Sequence, residues 1–207
     1  MKNAVNQQKL ESLNFLAHIL LSDHSPEVMI GNFIADFIKG NHYQHLPEGV
    51  IKGIKLHRAI DDFTDTHDIV KKDIKIFQPY HSRYAGIVVD IIYDHILLKN
   101  WSLYSELDSE GFIDEFYEII ERNIDIIPEE LVEVFPRMKA HNWLINYGNS
   151  EGLSRTFEAM TRRIHNRVDL NNAVHVMKEN YEEIEKDFNL FFPQLIEHVS
   201  HYRMLLN

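Results

Sequence analysis

The chain has 207 residues, enough to bury a sizeable core without staples, and its 44% hydrophobic and 26% charged content excludes disorder over most of its length. It contains no cysteine, which excludes disulfides, thiolate metal sites and Cys nucleophiles and leaves His, Asp, Glu and water as the only metal donors. A formal net charge of −11 argues against general nucleic-acid binding, and the absence of a long apolar run or a signal-like leader makes a cytoplasmic protein with no membrane partner the default expectation.

Gly (8) and Pro (6) are few, hairpin signals are absent, and apolar residues recur at helical spacing, so the pattern predicts an all-α chain. Residues 1–12 read as a polar, flexible extension, and 13–207 as a single helical domain. A first helix is expected over about 10–22. A second starts at Pro26, after Ser25, and ends at Gly40. A third follows Pro47 and runs towards Thr66. A shorter one over about 67–77 is expected to be interrupted by Pro79. The segment 84–101 is apolar on nearly all sides and reads as a central, buried helix. Then come helices over about 109–126, 128–147 and 152–164. A long last helix over 171–206 is expected to kink or break near Pro193. The segment Glu106–Glu133 is acidic and Arg155–Arg167 carries four arginines; solvated helix faces explain both in the simplest way.

Ionisable residues inside apolar helices are the most informative pattern. His18 lies within Phe15-Leu16-Ala17-His18-Ile19-Leu20-Leu21, Asp36 within Phe33-Ile34-Ala35-Asp36-Phe37-Ile38, and Asp90 and Asp94 within the most apolar helix. An unpartnered buried carboxylate costs several kcal/mol or takes up a proton, so several converging ones point to a shared cation. His57 and Asp61 are four apart and share a helix face, with Asp65 a turn further on. Asp90 and Asp94 repeat that step, and His95 follows at once. Facing helices with such pairs make a nest suited to a divalent metal with open positions for water and substrate. Simpler readings stand beside it: a satisfied core histidine for His18, a pairing with Lys39 for Asp36, a surface pair for His57 with Asp61, a buried salt bridge for Asp94 with His95. Asp62 reads as solvated, and His24, His42, His45, His67 and His81 as surface.

At these residues the chain resembles a known family. Asn14-Phe15-Leu16-Ala17-His18, Gly31-Asn32-Phe33-Ile34-Ala35-Asp36-Phe37 and Gly53-Ile54-Lys55-Leu56-His57-Arg58-Ala59-Ile60-Asp61 are similar to motifs of the acyl carrier protein phosphodiesterases. Thr64-Asp65 and the stretch from Asp90 to Asp94-His95 continue the match in order. Asn142-Trp143-Leu144, Tyr147, Met160 and Arg162-Arg163 resemble its later signature. The resemblance implies a helical fold of the HD-like phosphohydrolase type with additional C-terminal helices. It implies removal of the 4′-phosphopantetheine arm from a serine of holo acyl carrier protein, with manganese as the expected metal and magnesium or iron as alternatives. Carried over by position, Asp36, His57, Asp61 and Asp94 are the expected metal ligands. His95, His18 and Arg58 are expected at the reacting group, a histidine protonating the leaving serine oxygen and Arg58 gripping a phosphate oxygen.

Such carriers are acidic, as is this chain, so their net charges do not attract. A local basic patch must then supply recognition, and Arg155, Arg162 and Arg163, with Arg167, are the candidates. Three alternatives stay open on the sequence: a phosphohydrolase for a nucleotide or other small phosphoester, a non-catalytic helical binding protein, and a protein with a closed structural metal.

Overall fold

A computed structural model describes residues 15–206; the extension expected over residues 1–12 lies outside them. The described residues are helix and turn, with no strand, as the sparse Gly and Pro predict. The helices are α1 Phe15–Leu20, α2 Pro26–Ile34, α3 Glu48–Thr66, α4 Asp68–His81, α5 Ala85–Lys99, α6 Ser109–Arg122, α7 Glu129–Ala140, α8 Trp143–Asn146, α9 Ser150–Arg163, α10 Ala173–Glu179 and α11 Tyr181–Leu206. None is long and apolar enough to cross a membrane.

Several boundaries are set by side chains that satisfy helix ends. Asp108 accepts a hydrogen bond from the Gly111 amide at 2.8 Å, and Asn149 from the Gly152 amide at 2.8 Å, so α6 and α9 begin on N-caps. Neither Pro79 nor Pro193 ends its helix. Pro79 lies inside α4, in its last turn, where little helix remains to be lost. Pro193 lies inside α11, which runs through it while Phe191, Phe192 and Leu195 stay buried on either side. Burial of those flanks outweighs the one deleted hydrogen bond. The break falls instead at Asn180, whose amide group donates to the Val176 carbonyl at 2.8 Å and ends α10. Likewise the helix expected over 128–147 divides at Asn142, which takes a left-handed φ of 43°. The second helix stops at Ile34 and tightens into a 3₁₀ turn over Ala35–Phe37, short of Gly40.

The chain clusters into two compact units. One comprises residues 64–100 and 146–194; the other comprises 15–63, 101–145 and 195–206. In the first, α4 and α5 form a helical hairpin, and α5 is buried through Val88, Val89, Ile91, Ile92, Ile96 and Leu97, as its all-round apolarity predicts. Tyr93 packs edge-on against Phe188 with ring centres 5.2 Å apart. His81, expected at the surface, is fully buried here: its Nδ1 donates to the Asp169 carbonyl at 3.3 Å, and burial lowers its pKa. The helix end carries the ring inward, which spacing alone does not reveal.

The second unit is organised around Phe33, which meets Phe15 at 4.8 Å and Phe116 at 5.1 Å between ring centres. Its α2 and α3 cross at two glycines. A Cβ on Gly31 would lie 2.0 Å from the Val50 carbonyl oxygen, and one on Gly53 would lie 2.2 Å from the Val28 carbonyl oxygen. Glycine inside a helix costs about 1 kcal/mol relative to alanine. Here it permits backbone contact that no larger residue allows, in the helix pair that carries Asn32, bonded to His18, and His57, bonded to Asp36.

Candidate metal centre

Four ionisable side chains meet in the second unit. His18 comes from α1, Asp36 from the 3₁₀ turn after α2, and His57 and Asp61 from one face of α3. The two rings stack with centres 4.2 Å apart and planes 27° from parallel. His57 Nε2 lies 3.1 Å from Asp61 Oδ2 and 3.2 Å from Asp36 Oδ1, while His18 Nε2 lies 3.4 Å from Asp61 Oδ1. Both histidines are buried, and Asp36 and Asp61 reach partly into solvent.

Charge dictates what the cluster holds. Burial alone would lower the His57 pKa. Hydrogen bonds to Asp36 and Asp61, and the negative charge of both, outweigh it and raise the ring to about 10. Burial would raise the Asp61 pKa, but the two histidines hold it far below the usual carboxylate range. The arrangement is therefore a pair of carboxylates that demands positive charge between them.

His18, His57 and Asp61 each offer a donor atom within 4.8 Å of the other two, the geometry of a cation site. Two imidazole nitrogens and a carboxylate oxygen, with Asp36 adjacent and no thiolate, suit a borderline divalent ion. A cation held by these three alone would keep positions open for water and substrate, as catalytic sites do. His18, expected at the reacting group, is thus part of the cation-competent group, while Asp36 stands beside it against His57.

The remaining expected residues are placed as follows. Asp94 and His95 lie on α5 in the first unit, both buried. His95 Nδ1 donates to the Tyr147 carbonyl at 2.6 Å, and burial lowers the pKa of the ring. Arg58 donates to the Gly40 carbonyl at 2.7 Å and lies 5.0 Å over the Tyr43 ring, so its guanidinium braces the turn that follows Asp36. Arg155 pairs with Glu151 at 2.7 Å and Arg162 with Glu158 at 3.4 Å on α9. Arg163 lies on the same helix, half-buried. Asp62 is exposed, as expected.

One residue of the centre has no charge to betray it. Asn32, fully buried, bonds to the His18 ring, to the His18 backbone and to Ser22. The available sign in the sequence was an amide among Phe33, Ile34 and Ile30 on an apolar helix, a position where a polar group must have partners.

The family model for acyl carrier protein phosphodiesterase matches residues 13–195, which takes in the whole cluster and most of the chain. The chain belongs to the acyl carrier protein phosphodiesterase family. It is 31% identical to an acyl carrier protein phosphodiesterase of Photorhabdus laumondii over 186 residues, covering 89% of this chain and 94% of the relative. It is 31% identical to one of Klebsiella pneumoniae over 188 residues (89% and 96%), and 27% identical to one of Escherichia coli over 190 residues (91% and 98%). No solved structure matches the chain. The family match therefore rests on sequence, and the geometry above is what this chain adds to it.

Proposed function

We propose that the chain hydrolyses the phosphodiester joining a 4′-phosphopantetheine arm to a serine of holo acyl carrier protein, releasing apo carrier and phosphopantetheine. Family membership supports the substrate, and the His18–His57–Asp61 group supports the chemistry; that group is the single observation on which the reading stands. A divalent metal bound there, with manganese as the expected ion, supplies Lewis acidity and a water acidic enough to react at neutral pH. The protein's own groups do the rest. His18 and His57, stacked and buried, hold two nitrogens at fixed spacing. Asp61, one turn below His57, presents one oxygen to each ring. Asp36 adds a second negative charge beside His57, so that a doubly charged cation is balanced by two carboxylates. The oxygen of water forms a bond to phosphorus, the bond from phosphorus to the serine oxygen breaks, and that oxygen takes up a proton. The partial exposure of Asp36 and Asp61 supports a reaction at the solvent edge of the cluster, within reach of a protein-borne arm.

The test is direct. Incubation of the purified protein with holo acyl carrier protein and Mn²⁺, followed by mass spectrometry, should show the carrier losing the mass of the arm. Asp61→Asn should lower the rate by at least about 100-fold, the upper end of what losing a group that merely orients a ligand costs, while the far-UV circular dichroism stays helical. An unchanged carrier mass with Mn²⁺, Mg²⁺ and Fe²⁺ would remove this substrate.

A further inference from the structure

The hydrogen bonds around Asn32 fix a proton that no resonance or distance at the centre fixes by itself. Ser22 Oγ donates its only proton to the His18 carbonyl at 2.9 Å. The Asn32 side chain approaches both of these groups, lying 2.7 Å from the His18 carbonyl oxygen and 3.0 Å from Ser22 Oγ. Each needs a donor, because the carbonyl has no proton and the serine has spent its own. The Asn32 atom facing them is therefore the NH₂ group. Its other atom, the carbonyl oxygen Oδ1, then faces His18 Nδ1 at 2.9 Å. An oxygen there accepts only, so His18 Nδ1 carries a proton. Asn32 and Ser22 are both buried, and no solvent competes for these bonds.

The consequence lies at the other end of the ring. With the proton on Nδ1, the ring in its neutral form turns a lone pair on Nε2 towards Asp61 Oδ1, 3.4 Å away, whereas the protonated ring donates there. In that neutral form two lone pairs face each other unless a metal cation takes the place of the second ring proton. We propose that Asn32 is a positioning residue: it holds the His18 proton on Nδ1 so that Nε2 is presented, unprotonated, to a divalent cation. Of the two stacked rings, His18 carries this restraint and His57 does not. The Nδ1 of His57 is buried and meets no hydrogen-bond partner among the described residues, and that ring is oriented through Nε2 instead. Backbone groups also gain: the Asn32 and Ser22 bonds to the His18 carbonyl draw the end of α1 against α2, so the same residue that selects the tautomer fixes the reach of the ring. This inference rests on the metal-centre reading given above, but not on the identity of the substrate.

Nitrogen-15 NMR of the histidine rings, recorded on the metal-free protein at pH 9, decides it. The expected result is a neutral His18 protonated on Nδ1. Asn32→Leu, similar in shape but with no acceptor, should move the proton to Nε2, where it bonds to Asp61. That variant should also lower Mn²⁺ affinity by about 10–100-fold, the usual effect of losing a group that orients a ligand. Asn32→Asp keeps an acceptor at Nδ1 and should keep the wild-type tautomer. A wild-type ring protonated on Nε2, or on both nitrogens, would overturn the proposal, and so would unchanged Mn²⁺ affinity in a folded Asn32→Leu. If Asn32→Leu does not fold, the wild-type spectrum still decides. Failure to cleave holo carrier would leave the tautomer and the metal affinity where they are, so the two readings fail separately.

Discussion

At the scale of single residues, the cluster and a second buried acid make opposite statements about pH. His57 is held near 10 by Asp36 and Asp61 against the opposing effect of burial, so without metal it keeps a proton at pH 8. A metal ligand must be unprotonated. Binding of Mn²⁺ at pH 8 should therefore release close to one proton, and affinity should fall about tenfold for each unit of pH lowered. Calorimetry in two buffers of different ionisation enthalpy measures this, and zero release at pH 8 would mean that His57 is no ligand. Asp73, in the other unit, goes the other way from an ordinary carboxylate. Burial pushes it up to about 7, the neighbouring Asp187 carboxylate adds to this, and the Tyr93 hydroxyl at 2.7 Å and Lys72 work against it. The folded state thus holds a proton that the unfolded chain gives up near pH 4. Stability from this group is full below about pH 4 and is lost as pH rises through 7. Asp73→Asn should consequently raise Tm by several degrees more at pH 8 than at pH 4, since about 1 kcal/mol corresponds to about 2–4 °C in a chain of this size. Equal shifts at both pH values would show that Asp73 is already charged when folded. His18, His57 and Asp61 were legible because a charge among apolar neighbours is an anomaly. Asn32 and the burial of His81 were not: an amide carries no such mark, and the direction in which a helix end turns its last ring depends on partners distant in sequence.

At the scale of elements, helix existence followed from periodicity, while the breaks followed from local hydrogen bonding that periodicity does not encode. Prolines at 79 and 193 looked like interruptions because each deletes a backbone donor, yet Pro79 falls in the last turn of its helix and buried residues flank Pro193. Asn180 and Asn142 looked innocuous and end helices, since a short amide can bond back to the preceding turn or tolerate a left-handed φ. The element contact that matters for chemistry is the crossing of α2 and α3 at Gly31 and Gly53. A methyl group on Gly53 would meet the Val28 carbonyl oxygen at 2.2 Å and the Asn32 amide nitrogen at 2.8 Å, both backbone, so the helices must separate. Gly53→Ala should destabilise the protein by about 1–3 kcal/mol, the range for overpacking. It should also weaken Mn²⁺ binding, because α2 and the turn after it carry Asn32 and Asp36. Gly86→Ala is the control: its Cβ would meet only Ile74 Cδ1 at 3.9 Å, and the helix gains propensity. Chemical denaturation with parallel metal titrations separates the two variants, and a Gly53→Ala protein with wild-type stability would show that the crossing has slack.

At the scale of the whole molecule, a net charge of −11 must be reconciled with an acidic carrier. The four arginines between 155 and 167 suggested a basic patch, because sequence shows charges without showing their partners. On α9 the structure pairs Arg155 with Glu151 and Arg162 with Glu158, each one helical turn apart and each exposed. Such pairs are worth little to stability, but they leave a surface whose field is close to neutral at a distance. If this helix is the docking face, approach of carrier to enzyme is governed by like net charges, and attraction would come only at contact, where an arginine exchanges its glutamate for a carrier carboxylate. Raising ionic strength from about 0.01 M to about 0.15 M shortens the screening length from about 30 Å to about 8 Å. Long-range repulsion is removed over that interval, so kcat/KM for holo carrier should stay level or rise by a few-fold. Glu151→Gln with Glu158→Gln should raise kcat/KM further at low salt, by releasing two arginines while reducing the negative charge by two. A steep fall of kcat/KM with salt in the wild-type protein would instead require a strong basic field elsewhere on the surface, and would take recognition away from α9.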